Sequence, residues 1–311
     1  MNAGVMRRAL EYSRLFDVPI FVHCEDTDLA GEGVMHEGAV ALRLGLKGIP
    51  RTAESIMVAR DVALAAATNG RLHIGHVSAR ESVEAIREAK RSGVRVTAEV
   101  TPHHLLMTDE DVVGYNTNAK VKPPLRAAED RAALREALED GTIDCIATSH
   151  APHSSMSKDN LFDHAPFGVI GMESAFPILY TEFVVPGRWT LDFLVEKLST
   201  APARVMARPL GTLARGSAAD FVLVDPNCRE LIEARHLHSK SANCPFLGRE
   251  VRARIAATFV AGRAVFHRPE VFPGGPMARR ADEPAPDPAK RRKDKSAKEK
   301  PAKDKKKNRK K

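Results

Sequence analysis

Three short apolar runs end in clusters of ionisable residues. PIFV leads into His23-Cys24-Glu25-Asp26, LHIG into His76-Val77-Ser78, and IDCIA into Thr148-Ser149-His150-Ala151-Pro152-His153. Imidazole nitrogens converging from neighbouring strand ends are how open, catalytic zinc sites are built, with a position left for water. A single histidine at a strand end reads first as a core residue satisfied by hydrogen bonds. Two on separate strands, with a third His-rich loop, point to metal-assisted hydrolysis. Ser149 beside His150 and His153 invites a serine nucleophile, but no GxSxG elbow surrounds it, so a serine hydrolase is set aside. His103 and His104 in VTPHH read as structural or loop residues, because neighbours at a strand end face opposite ways. His36, His164, His236, His238 and His267 lack strand-end context and read as surface or packing residues. Glu25 and Asp26 suit either of two roles, orienting His23 or capping a following helix.

The elements that must hold these clusters alternate short β-rich runs with helical stretches. The runs 19–23, 71–77, 94–100 and 143–148 are mostly apolar throughout, the pattern of a parallel sheet buried on both faces, and each follows a helix-like segment. The clearest helix is 80–91, where Val83, Ile86 and Lys90 keep helical spacing and Gly93 stands at the stop. In a parallel α/β barrel the chemistry lies at the C-terminal ends of the strands, where the three clusters fall. Beyond Arg188 a helical stretch is predicted over 191–206. It is followed by strands in GTLARGSAADFVLVDP, over 253–260 and over 263–266, the last two flanking a turn at Ala261-Gly262. The expected organisation is a barrel body over 1–208, a small β-rich domain over 209–272, and a Lys-rich tail over 273–311 that is too polar to order.

Composition narrows the function classes. The chain has 311 residues, 43% of them hydrophobic, which is enough for one large core and excludes a collagen-like or wholly disordered protein. Of 48 basic residues, 16 lie within 279–311, leaving 32 against 34 acidic residues in the remainder, so the basic character belongs to the tail. That tail could hold anionic partners or nucleic acid weakly and in a salt-sensitive way, but it has no aromatic residue for base stacking. No run approaches the ~18 apolar residues of a membrane helix, and charges occupy the place of a signal-peptide core, so a cytoplasmic protein is expected. Cys24, Cys145, Cys228 and Cys244 form no CxxC pair and are expected as buried free thiols.

Taken in order, HCED, LHIGHVS, EVTPHH, KPPLR, IDCIATSHAPH, APFGVIGME and LSTAPARV…GTLARGSAADFVLVD resemble the class I dihydroorotases of the amidohydrolase superfamily, from about Asn2 to His267. Allantoinases and hydantoinases are relatives, but ATSHAPH and APFGVIGME look more like dihydroorotase. The resemblance implies an α/β TIM (β/α) barrel enzyme that uses zinc to interconvert dihydroorotate and N-carbamoyl-aspartate in pyrimidine synthesis. It also implies that His23 and His76 are metal ligands, that His153 contacts substrate, and that Phe167 and Gly168 belong to the loop against the pyrimidine ring.

The resemblance breaks in three places. The family's HxHxR motif and a further Asp ligand do not precede His23, and four of eight barrel strands are placed, so a C-terminal half barrel is expected. Ser149 stands where the family has the Asp that is both metal ligand and general acid/base. A serine hydroxyl has no proton acceptor of suitable pKa and brings no charge to a metal. Lys122 stands where the family has a substrate-binding Asn. The expectation is a protein impaired in catalysis that holds zinc weakly or not at all. Two alternatives are a noncatalytic partner of aspartate transcarbamoylase, which would cover the open barrel edges, and a cyclic amidase completed by another chain. A third, a remnant without a stable fold, would melt without cooperativity.

Overall fold

In the computed structural model, residues 2–269 and 271 are described. The principal sheet joins β1 (Ile20–Val22), β4 (Leu72–Ile74), β5 (Val96–Val100) and β6 (Cys145–Ile146) in the order β1-β4-β5-β6, every pair parallel. The two-residue strands β2 (Met35–His36) and β3 (Gly48–Ile49) pair with each other in a crossover segment. Each apolar run becomes a strand shorter than the run: 19–23, 71–77 and 143–148 lose residues at both ends, while 94–100 loses only its first two. The crossover helices Thr52–Thr68, Arg80–Arg91 and Ala128–Glu139 pack beside one another. Their shared core includes Val58, Val83, Ile86 and Leu134, with Leu72, Ile74, Val96, Ala98 and Val100 from the sheet. This is a partial (β/α) barrel, the architecture predicted from the runs.

Helix Arg80–Arg91 matches the sequence reading residue for residue, with Ser92 as its cap and Gly93 in the left-handed region at φ 75°. Lys90, on its exposed side, meets Asp144 at 2.8 Å just before β6. The predicted helical stretch over 191–206 is helical over 191–205, as Leu191–Val195, a π-helical turn Glu196–Thr200 and Ala201–Val205 in unbroken succession. Pro202 lies in the first turn of the last piece, where its missing N–H is tolerated best.

The C-terminal sheet is antiparallel, β7 (Phe221–Leu231), β8 (Glu250–Val260) and β9 (Arg263–His267), in that order. Ala261 and Gly262, both at positive φ, make the two-residue hairpin turn between β8 and β9. The segment between β7 and β8 returns to the barrel, where Asn243, Cys244 and Phe246 are buried. Cys24, Cys145 and Cys244 are buried free thiols, while Cys228 is only half-buried. The expected disorder of 273–311 lies outside the described residues. No described helix is long and apolar enough to cross a membrane.

Candidate active site

His23 and His76 meet at the C-terminal edge of the sheet, with Nδ1 of His23 3.3 Å from Nε2 of His76 and ring centroids 4.8 Å apart. The register explains the meeting. Val22 pairs with Ile74 across β1 and β4, so the two histidines leave adjacent parallel strands within one turn of each other. His76 takes a left-handed φ of 38°, unusual for a residue other than glycine. Burial, reinforced by neighbouring His23, lowers its pKa below the ordinary imidazole value, which favours the neutral, metal-binding form.

The turn after His76 is held from below by a buried carboxylate that the sequence reading did not single out. Glu54 accepts the backbone N–H groups of Ser78 and Ala79, both at 3.0 Å, and the Ser78 hydroxyl. Arg126, the last residue of KPPLR, donates to Ser78 Oγ at 3.1 Å and lies 3.8 Å from Glu54. Burial acts against the Glu54 charge, but Arg126 and the Ser78 and Ala79 donors outweigh it and hold the carboxyl below its ordinary range. His36 is also buried, with Nδ1 accepting from Arg126 at 3.3 Å, so it is a packing residue as expected.

Glu25 and Asp26 divide the two roles left open for them. Asp26 caps the short helix Thr27–Ala30 through the N–H groups of Asp28 and Leu29. Glu25 sits between His23 Nε2, at 3.6 Å, and the Lys122 ammonium, at 2.9 Å. Lys122 thus reaches the His23–His76 pair through Glu25, and its ammonium also lies 5.2 Å from the Phe167 ring centroid.

Beside this pair a cleft of about 90 Å³ is lined by His103, Val121, Lys122, Ser149, Ala151, Phe167, Gly168 and Val169. Of the sequence-predicted residues it unites Ser149, Lys122, Phe167 and Gly168. His153 stands just behind them, its Nε2 2.8 Å from the Phe167 carbonyl oxygen. His103 and His104 lie on a short helix, Pro102–Leu106, not at a strand end, and their rings lie side by side at 4.7 Å instead of facing apart. Both are buried, and His104 is bonded to Thr101 Oγ1 at 2.8 Å and the Pro123 carbonyl at 3.1 Å. Burial takes the His104 pKa down to about 4.

Two buried lysines hold the cleft loop. Lys120 donates to the carbonyls of Phe162 and Asp163, and Lys158 to those of Pro166 and Gly168, at 2.6–3.1 Å. Burial, with Lys120 nearby, pushes the Lys158 ammonium down to about 8. At Gly168, φ is 127°, and an added Cβ would lie 2.6 Å from Ala151 Cβ and 3.0 Å from His153 Nε2. Gly168→Ala is therefore expected to cost about 1–3 kcal/mol in backbone strain before any clash. Differential scanning calorimetry checks this, and an unchanged melting temperature would contradict it.

Residues 2–265 match the amidohydrolase family. Over 267 residues the chain is 54% identical to a dihydroorotase of Anaeromyxobacter dehalogenans strain 2CP-1, covering 85% of this chain and 61% of that relative. A dihydroorotase of Pelotomaculum thermopropionicum is 52% identical over 265 residues, covering 85% and 62%. The chain thus spans about three-fifths of the length of the curated relatives it matches. Among solved structures, a D-hydantoinase (dihydropyrimidinase) from Thermus sp. superposes with a TM-score of 0.77 at 26% identity. An L-hydantoinase (dihydropyrimidinase) from Arthrobacter aurescens does so with 0.77 at 27%. Each match covers 86% of this chain and 61% of the other.

Proposed function

The chain belongs to the amidohydrolase family, and on that premise we propose that it is a dihydroorotase-type protein whose cleft takes dihydroorotate or N-carbamoyl-aspartate but whose catalysis is impaired. The observation that carries this reading is the cleft lining, in which no residue is a carboxylate. Hydrolysis of the ring amide needs a group that accepts a proton from the attacking water and returns one to the leaving nitrogen. The Ser149 hydroxyl can donate or accept a hydrogen bond but cannot hold that proton near neutral pH. Lys122 presents a cation to a ligand carboxylate, Phe167 presents a ring face, and Lys120 and Lys158 keep the loop in place.

Zinc is the cofactor the family resemblance implies, and the donor chemistry of His23 and His76 suits it. Two imidazole nitrogens 3.3 Å apart, one biased to the neutral form, can face one cation. When bound, zinc would supply positive charge that polarises the amide carbonyl. Two histidines leave a tetrahedron two donors short, so this pair holds zinc weakly. Assaying the purified full chain with added zinc is expected to show no dihydroorotate turnover above a zinc-only control, while calorimetry detects ligand binding that Lys122→Ala weakens. Zinc-dependent turnover would overturn impairment, and an absence of ligand binding would overturn the substrate assignment.

A second reading, the noncatalytic partner of aspartate transcarbamoylase, is favoured by one surface feature. Beside the edge strand β1, Leu15, Phe16, Val18 and Phe21 are exposed, an apolar group of the kind that another chain covers. Co-elution of the chain with aspartate transcarbamoylase in size-exclusion chromatography would support it, and separate elution would count against it.

A further inference from the structure

On one face of the principal sheet three side chains of different donor type converge. His73 on β4, Glu99 on β5 and Cys145 on β6 place one ligand atom each within 4.8 Å of the other two. The parallel register builds this group. Glu99 pairs with Cys145, and His73 pairs with Thr97, two residues before Glu99 on the same face. The intervening residues Leu72, Ile74, Ala98 and Ile146 point to the opposite face and fill the core. His73 and Cys145 are buried, and Glu99 is half-buried.

The arrangement around these donors matches what a metal-binding imidazole needs. His73 Nδ1 is 2.8 Å from Thr97 Oγ1, which fixes the ring and leaves Nε2 directed to Glu99 Oε2 at 3.1 Å. That N···O separation is close to the edge of a zinc tetrahedron whose bonds are about 2.0–2.2 Å. Gly75, two residues after His73, has no side chain, so the space beside Glu99 Oε1 stays clear, and an added Cβ would come to 3.6 Å from that oxygen. Cys145 is backed by Ala201 and Val205, which fix its position from behind. The half-exposed Phe21 ring packs against His73, with ring centroids 4.4 Å apart.

We propose that His73, Glu99 and Cys145 form a second metal site, distinct from the His23–His76 pair, for a borderline-soft divalent cation such as zinc. Nitrogen, oxygen and sulfur together are a donor set that zinc accepts, and the fourth position would be taken by water or a ligand. On binding, the Cys145 S–H bond breaks, the sulfur–metal bond forms and the proton goes to solvent. This site does not depend on the proposed dihydroorotase reading.

The test uses cobalt(II) alone as the probe, titrated into the chelator-stripped full chain. A thiolate ligand gives a near-ultraviolet sulfur-to-cobalt charge-transfer band, which the His23–His76 pair cannot produce. The band is expected at one cobalt per chain, absent in Cys145→Ser, and retained in the His23→Ala/His76→Ala double variant. Thr97→Val, which keeps all three donors and nearly the same shape, is expected to weaken cobalt affinity about 10- to 100-fold. The proposal is overturned if the chain shows no band. It is equally overturned if the band survives Cys145→Ser but disappears in Cys24→Ser, which would place the metal beside His23. Should Cys145→Ser fail to fold, the Thr97→Val titration decides, and unchanged affinity there rejects the site.

Discussion

Arg126→Met is expected to cost the fold about 3–5 kcal/mol at neutral pH, because it leaves Glu54 as a buried carboxylate without its counter-charge. Arg126 and Glu54 are 3% and 4% exposed, so water cannot replace the lost partner. The pH dependence follows from the direction of the Glu54 shift. Its folded pKa lies below the ordinary 4.5, so its contribution is present above that value and is lost as pH falls through the lower, folded pKa. In Arg126→Met the carboxyl protonates more readily. The gap between wild type and variant should therefore be widest near pH 7 and narrow below about pH 4.5. Urea unfolding at pH 7 and pH 4 checks both points. The double variant Glu54→Gln/Arg126→Met should recover much of the loss, since the amide oxygen still accepts from Ser78 and Ala79. A loss equal at both pH values would show that packing, not charge, carries the effect. The same pair holds the turn after His76, so the single variant should also separate His76 from His23.

Ser149→Asp is expected to bring zinc-dependent hydrolysis of dihydroorotate above the zinc-only control, since a general acid/base usually contributes about 10²- to 10⁴-fold. The substitution supplies the cleft with the carboxylate it lacks. The backbone accommodates it, because Ser149 has a φ of 47° and aspartate is among the residues that tolerate the left-handed region best. Ser149→Asn is the control, with nearly the same shape and backbone tolerance but no proton acceptor, and it should show no gain. Turnover is measured with the full chain at saturating zinc. Equal gains from Asp and Asn would attribute the change to shape, and no gain from Asp with zinc retained would remove general acid/base loss as the cause of impairment.

The strands, the 80–91 helix and the placing of His23 and His76 at the C-terminal strand ends were legible because each rests on a local signal. Strands buried on both faces need apolar residues throughout, a half-buried helix needs its 3.6-residue spacing, and chemistry at a parallel sheet's C-terminal edge places ionisable residues just after the apolar run. His103 and His104 were read as strand-end neighbours, but they lie on a short helix, and His103 lines the cleft. Thr101 caps a helix there through the His104 N–H at 3.1 Å, and a capping threonine before Pro102 was the signal available in the sequence. The helical stretch over 191–206 was legible, but its π-helical turn Glu196–Thr200 was not, because such turns have no distinctive residue pattern.

By itself, the sequence determined the fold class, the family and the residue types at the candidate site, Ser149 among them. Only the tertiary structure decided which of those residues touch. Glu25 meets Lys122 across 97 positions, Glu54 meets Arg126 across 72, and His73, Glu99 and Cys145 come from three strands. The physical reason is the parallel crossover. Each strand returns to the sheet only after a helix, so neighbours across the sheet are far apart in sequence, and their meeting depends on strand order and register, which no local pattern encodes.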